Sequence, residues 1–143
     1  MRFEHEATIN APADVVWDIY SDVERWSEWT ESITSVTYLD GDTIKLGART
    51  RIEQPKLPKA EWEVTHVDPG HAWTWTSKAP GIKTVAVHEV TPVGDGQANV
   101  RTELVQSGPL GAIFGRLYAK LTRSYLAMEA AGLKARSEAR ASA

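Results

Sequence analysis

Cysteine is absent from this chain. That excludes a disulfide framework, a thiol nucleophile and a thiolate metal site. No apolar run approaches the roughly 18 residues that a membrane span needs. Residues 1–6 lack the apolar stretch of a secretory signal. The cytosol is the expected compartment, and stable membrane insertion is not expected. An excess of positive charge is also lacking. The net charge is −3, which argues against phosphate-backbone binding and so against a nucleic-acid partner. There is no Gly-rich phosphate loop and no Gly-x-Ser-x-Gly nucleophile elbow. The four histidines, His5, His66, His71 and His88, show neither metalloprotease spacing nor a His/Asp cluster. Neither a metal nor a cofactor is expected.

What is present fits one domain over residues 1–143, long enough to bury a core without staples. The unusual feature is six Trp against two Phe. Each Trp brings a large apolar area and an N–H that needs a partner when buried. Charge is uneven as well. Residues 110–143 carry six basic and two acidic side chains, whereas the rest of the chain is acidic.

The pattern along the chain is α+β. Phe3, His5, Ala7 and Ile9 alternate with Glu4, Glu6 and Thr8, which predicts a half-buried strand over residues 2–9. Pro12 suits the first position of a short helix over 12–20, and Asp14 meets its dipole. Residues 22–26 read as another turn of helix. Six β-rich stretches follow at 33–39, 46–54, 60–67, 72–77, 82–90 and 98–107, separated by Gly, Pro and Asp turns. Their short, regular spacing predicts antiparallel hairpins. Leu110, Ile113, Leu117, Leu121, Tyr125 and Met128 then recur at steps of three or four. They predict an amphipathic helix over 110–136, about 40 Å long. Arg116, Lys120 and Arg123 share its opposite face, and residues 139–143 read as a frayed tail. A curved sheet wrapped around that helix buries the apolar faces of both.

The stretch Ile9-Asn10-Ala11-Pro12-Ala13-Asp14-Val15-Val16-Trp17 leads to Asp22 and Trp26-Ser27-Glu28-Trp29. It resembles the START-like (SRPBCC) superfamily, and within it the small polyketide cyclase/dehydrase-like proteins. These often show apolar-x-Ala-Pro-x-x-x-Val-Trp, an Asp, then Trp-Pro-x-Trp, so Ser27 stands where Pro is usual. Val67-Asp68-Pro69 ahead of Trp73 and Trp75, His88-Glu89, Gly108-Pro109-Leu110-Gly111 and Gly132-Leu133-Lys134 extend the likeness over nearly the whole chain. The resemblance implies a helix-grip fold: a seven-stranded curved antiparallel sheet around a long C-terminal helix, with two short helices after the first strand. It also implies a mostly apolar tunnel between helix and sheet.

In that fold Trp17 and Trp26 read as structural residues that hold the helical excursion on the core. Trp29, Trp62, Trp73, Trp75, Phe114, Leu117, Tyr118 and Leu121 read as candidate ligand contacts. Access is expected between residues 26–31, the loops 55–58 and 78–82, and the first half of the helix. His88, then His5, are candidate polar groups in the tunnel, since a neutral imidazole can donate, accept and titrate. Arg49 and Arg51 alternate with Thr50 and Ile52, and either face can be the inner one. The first expectation is binding of a hydrophobic, aromatic or lipid-like small molecule. A second is a polyketide cyclase or dehydratase using His88 as acid/base. A third is a protein-interaction module with a collapsed cavity and a basic helix face. A homodimer is left open.

Overall fold

A computed structural model describes residues 1–143. The strands are β1 (Arg2–Ile9), β2 (Ser35–Asp40), β3 (Arg49–Glu53), β4 (Ala60–Asp68), β5 (Ala72–Ala79), β6 (Ile82–Pro92) and β7 (Ala98–Ser107). The helices are α1 (Ala13–Ser21), α2 (Gly111–Leu117) and α3 (Ala119–Ala141), with a 3-10 turn at Val23–Glu28. The seven strands make one sheet in the order β1-β7-β6-β5-β4-β3-β2. Every neighbouring pair is antiparallel. The order follows from the sequence of elements. After β1 the chain leaves one edge, and α1 with the 3-10 turn carries it to the far edge. There β2 starts a meander that returns until β7 closes against β1. This is the helix-grip arrangement.

Side-chain parity sets the concave face. Phe3 and Ile9 are buried while Arg2, Glu4, Glu6 and Thr8 are exposed. Trp73, Trp75, Ala86, His88, Val90, Val100 and Thr102 point the same way and are buried. A bulge between Val64 and His66 shifts the register of β4. It leaves Thr65 and His66 exposed and half-buries Val67. In β3 the inner residues are Thr50 and Ile52. Arg49 and Arg51 lie outside, where Arg49 pairs with Asp40 and Glu61 and Arg51 with Glu61.

The C-terminal helix differs from the continuous 110–136 helix that the periodicity predicts. It breaks at Tyr118 into α2 and α3, and α3 runs on to Ala141, so most of the supposed frayed tail is helical. The two parts have different supports. A Cβ on Gly111 would lie 3.3 Å from the Gln106 backbone, and one on Gly115 would lie 2.8 Å from the Met1 side chain. These glycines let α2 sit close on the sheet end, while α3 lies along β1 and α1. At Tyr118 itself the backbone leaves helical geometry, with φ −102° and ψ 12°. Arg123 is exposed as expected, with its guanidinium 5.3 Å from the Phe3 ring centre. β2 and β3 start later than the sequence suggests: Ile33 is buried outside any strand, and Leu46 is exposed in a loop.

The far half of α3 seals the structure. Leu133 and Ser137 are fully buried. A Cβ at Gly132 would lie 1.9 Å from the Trp29 carbonyl oxygen. Glycine therefore permits a close crossing that outweighs its helix penalty of about 1 kcal/mol. Arg136 reaches Glu28 at 2.6 Å on the same seam. No helix is long and apolar enough to cross a membrane.

Candidate functional site

Strand register aligns His5, Thr102, His88 and Trp73 in one row across β1, β7, β6 and β5. Phe3, Leu104, Ala86 and Trp75 form the next row, and Gln106, Thr84 and Ser77 the one beyond. The two expected histidines thus share a row, with Thr102 between them. Their surroundings differ.

His88 is enclosed. It is 3% exposed. Its ring stacks on Trp73 with centroids 4.2 Å apart, and Tyr20, Trp26 and Trp75 close around it at 5.5, 6.0 and 5.2 Å. Its Nδ1 lies 3.3 Å from the Trp73 carbonyl oxygen. A carbonyl only accepts, so Nδ1–H donates and Nε2 carries the lone pair. Burial pushes its pKa down to about 3, because a charge here would lose its water. His88 is a neutral member of a packed aromatic cluster, which is a poor setting for a base. Trp17 meets Trp73 edge-on at 5.7 Å. Trp26 meets Trp75 at 5.6 Å and donates its indole N–H to the Tyr20 carbonyl at 2.8 Å.

A polar group stands at the upper limit of this cluster. The Tyr20 hydroxyl is 2.8 Å from Glu129 Oε1, to which it donates, and 2.7 Å from the Thr102 hydroxyl. Tyr20 comes from α1, Thr102 from β7 and Glu129 from α3, so three elements converge. Burial pushes the Glu129 carboxyl up to about 7, while the bond from Tyr20 pulls it down. Burial and the nearby Glu129 charge push the Tyr20 hydroxyl well above its ordinary value. A carboxyl that exchanges its proton near neutrality suits general acid–base chemistry.

Beyond that limit the concave face opens. Trp62, Thr84, Leu104 and Gln106 have inward parity but are only half-buried. Phe114 and Tyr118, with parallel rings 6.2 Å apart, and Leu121 and Tyr125 are half-buried on the helical side. Trp62 leans on Trp75 at 5.8 Å. Tyr125 donates its hydroxyl to the Pro55 carbonyl, bridging α3 to the β3–β4 loop. The Gln106 Oε1 is enclosed without a partner. At the sheet edge, between β1 and α3, a cleft of about 250 Å³ is lined by Arg2, Phe3, Glu4, His5, Arg123 and Leu126. Of His5 and His88, only His5 is reached from outside. A larger cleft of about 430 Å³ lies elsewhere, between α1 and the β2–β3 loop, against Trp17, Asp18, Asp22, Tyr38, Ile44 and Val67.

The candidate residues therefore separate. Trp73 and Trp75 fill the closed end. Trp29 packs against Gly132 and Trp26. Trp62, Phe114, Tyr118 and Leu121 stand at the open end. Leu117 is 69% exposed, because it shares with Ile113 the face of α2 that points away from the buried Gly111 and Gly115. Tyr20, Thr102 and Glu129 were not among the candidates. The signal was there for Glu129, which lies four residues after Tyr125 and four before Leu133, on the apolar stripe.

Comparison with known proteins agrees with this architecture. The family model described as polyketide cyclase / dehydrase and lipid transport matches residues 1–138. A relative from Streptomyces halstedii, provisionally named a polyketide cyclase, is 31% identical over 90 residues, or 61% of this chain and 72% of the relative. One from Streptomyces cyaneus with the same provisional name is 28% identical over 106 residues, or 74% of this chain. That match spans 54% of the relative, about half its length. The structure is similar to that of the Zhui aromatase/cyclase from Streptomyces sp. R1128, with a TM-score of 0.80 over 98% of this chain and 94% of that one. Identity is 14%, so this likeness speaks for the fold alone.

Proposed function

Because the chain belongs to the polyketide cyclase / dehydrase and lipid transport family, we propose that it binds a small, largely apolar, ring-bearing molecule at the open end. The observation that carries this reading is the contrast in burial along one face. Trp62, Thr84, Leu104 and Gln106 point inward without being filled in. The apolar body of the ligand lies against Trp62, Leu104, Phe114, Tyr118 and Leu121. Covering such surfaces contributes about 25 cal/mol per Å². The unpartnered Gln106 side-chain oxygen becomes an acceptor for a ligand hydroxyl once that side chain turns toward the opening. The Glu129–Tyr20 pair marks the inner end.

A second reading, as a cyclase or dehydratase, is favoured by the Glu129 carboxyl titrating near neutrality. In it Glu129, rather than the enclosed His88, is the acid/base. As a carboxylate it takes a proton from the carbon beside a ligand carbonyl. The resulting enolate carbon bonds to a second carbonyl carbon, and the new alkoxide takes the proton back from Glu129. Loss of that hydroxyl with a neighbouring C–H proton, as water, completes a dehydration. Tyr20 steadies the carboxylate through its hydroxyl bond. A positioned acid/base contributes about a hundred- to ten-thousand-fold.

Native mass spectrometry of the purified protein and titration with 1-naphthol test both readings. Trp62→Ala should weaken naphthol binding about tenfold, as loss of a large apolar contact does. Absence of both a retained ligand and naphthol binding rejects the binding reading. In the enzyme reading Glu129→Gln keeps affinity within a few-fold and abolishes turnover of a polyketide-like substrate. Retained turnover removes Glu129 from that role.

A further inference from the structure

Exposed large apolar side chains cluster at one place, whereas Leu39, Leu46 and Val93 are exposed singly elsewhere. Ile113 and Leu117 on α2 are 61% and 69% exposed, and Leu110 just before it is 37% exposed. Met1 is exposed too and lies against Gly115 of α2. The Leu110 N–H donates to the Gly81 carbonyl at 2.8 Å, which holds the β5–β6 turn against the start of α2. Lys78 and Lys83 pair across that turn on the convex side of the sheet, and Arg116 and Lys120 lie exposed on the helices that pack on its other side. None of these four cations makes an ion pair. Residues 69–88 and 104–128 contain no acidic side chain. A chain of net charge −3 thus presents one cationic end, with apolar side chains among the cations.

We infer that this end docks reversibly on an anionic lipid surface. Ile113, Leu117 and Leu110 enter the headgroup region, and Arg116, Lys120, Lys78 and Lys83 bear on its phosphates. Interleaved cations and apolar side chains on a short helix are what an interfacial segment needs. The size of the patch favours lipid over protein. A seven-residue helix is about 10 Å long, and a specific protein interface needs about 800 Å² a side. A charged bilayer sets no such minimum, because each cation is drawn to it separately. α2 also crosses the open end of the concave face, so docking would set that opening against lipid. The docking itself does not depend on what the opening holds.

Vesicle flotation with the full chain tests this. Binding is expected to phosphatidylcholine vesicles that contain phosphatidylglycerol and not to pure phosphatidylcholine, and it should fade as salt is raised to about 0.5 M. Arg116→Glu with Lys120→Glu should weaken it about tenfold or more. Lys45→Glu with Arg140→Glu changes the net charge equally at exposed sites outside the patch and should weaken it much less. Ile113→Ser with Leu117→Ser should shorten residence on the anionic vesicles while circular dichroism stays unchanged. No flotation of the wild type, equal flotation with neutral vesicles, or equal loss in both charge-reversal pairs would overturn the inference. Recovery of the patch's activity only toward a soluble acidic protein would overturn it too.

Discussion

Trp73 and Trp62 both face inward from adjacent strands, yet Trp73 is 0% exposed and Trp62 is half-buried. What differs is the layer above them. Over Trp73 the excursion of α1 and the 3-10 turn adds Tyr20 and Trp26, at 5.0 and 6.3 Å between ring centres. The far half of α3 then closes on Trp29 through Gly132. Over Trp62 there is no such second layer, and its one ring neighbour is Trp75, at 5.8 Å between ring centres. The same sheet therefore serves as a packed core at one end and an unfilled surface at the other. The boundary falls one row beyond Thr102, between Ala86, which is buried, and Thr84, which is half-buried.

The sharpest break of this comparison is truncation at each end. Trp73→Ala should cost about 3–5 kcal/mol in urea denaturation, as for other fully buried aromatics. Trp62→Ala should cost about 1 kcal/mol, because water already reaches that site. Similar losses at both would contradict the contrast. Gly132→Ala comes next. Helix propensity alone would make it stabilising by about 1 kcal/mol. The Trp29 carbonyl instead makes it destabilising by about 1–3 kcal/mol, as overpacking does. A raised melting temperature would show that the seam is loose.

The smallest net effect concerns pH, because two buried groups oppose each other. His88 is lowered from 6.5 to about 3. Between those values the unfolded chain takes up a proton that the folded chain refuses, so stability is lost as pH falls. Glu129 is raised from 4.5 to about 7. Its folded form holds a proton that the unfolded form has released, so stability is lost as pH rises through that window. Between pH 4.5 and 6.5 the two slopes oppose each other, each at most about 1.4 kcal/mol per pH unit. Glu129→Gln should leave a stability that rises with pH there, and His88→Phe one that falls. Denaturation curves at the two ends of the window measure this. Slopes of the same sign in both variants would place at least one group outside the buried boundary.

Much of this was legible from residue patterns. Strand alternation is local and strong, so the parity of Phe3, Trp73, Trp75, Ala86 and His88 could be read directly. The Ala-Pro and Trp signature around Pro12 and Trp26 pointed to the helical excursion. The bend at Tyr118 was not legible, because steps of three and four continue through it. It depends on where Gly111 and Gly115 let α2 approach the sheet, which is tertiary information. Glu129 was missed for a related reason. A single carboxylate on an apolar stripe looks solvated until Tyr20, more than a hundred residues earlier, is seen to donate to it. His88 was found, but its enclosure depends on rings from α1 and the 3-10 turn that no spacing reveals.

The boundary itself can be tested by filling. Thr84 and Ala86 lie on the same face of β6 in adjacent rows, on the open and closed sides. The decisive measurement is 1-naphthol affinity and melting temperature for Thr84→Trp beside Ala86→Trp. Thr84→Trp is expected to melt near the wild type and to lose about tenfold or more in affinity, since it occupies the unfilled space. Ala86→Trp is expected to lose about 1–3 kcal/mol or more of stability, since its space is taken. A Thr84→Trp protein that binds as the wild type does, or that is destabilised as much as Ala86→Trp, would contradict the division of the face into a closed and an open end.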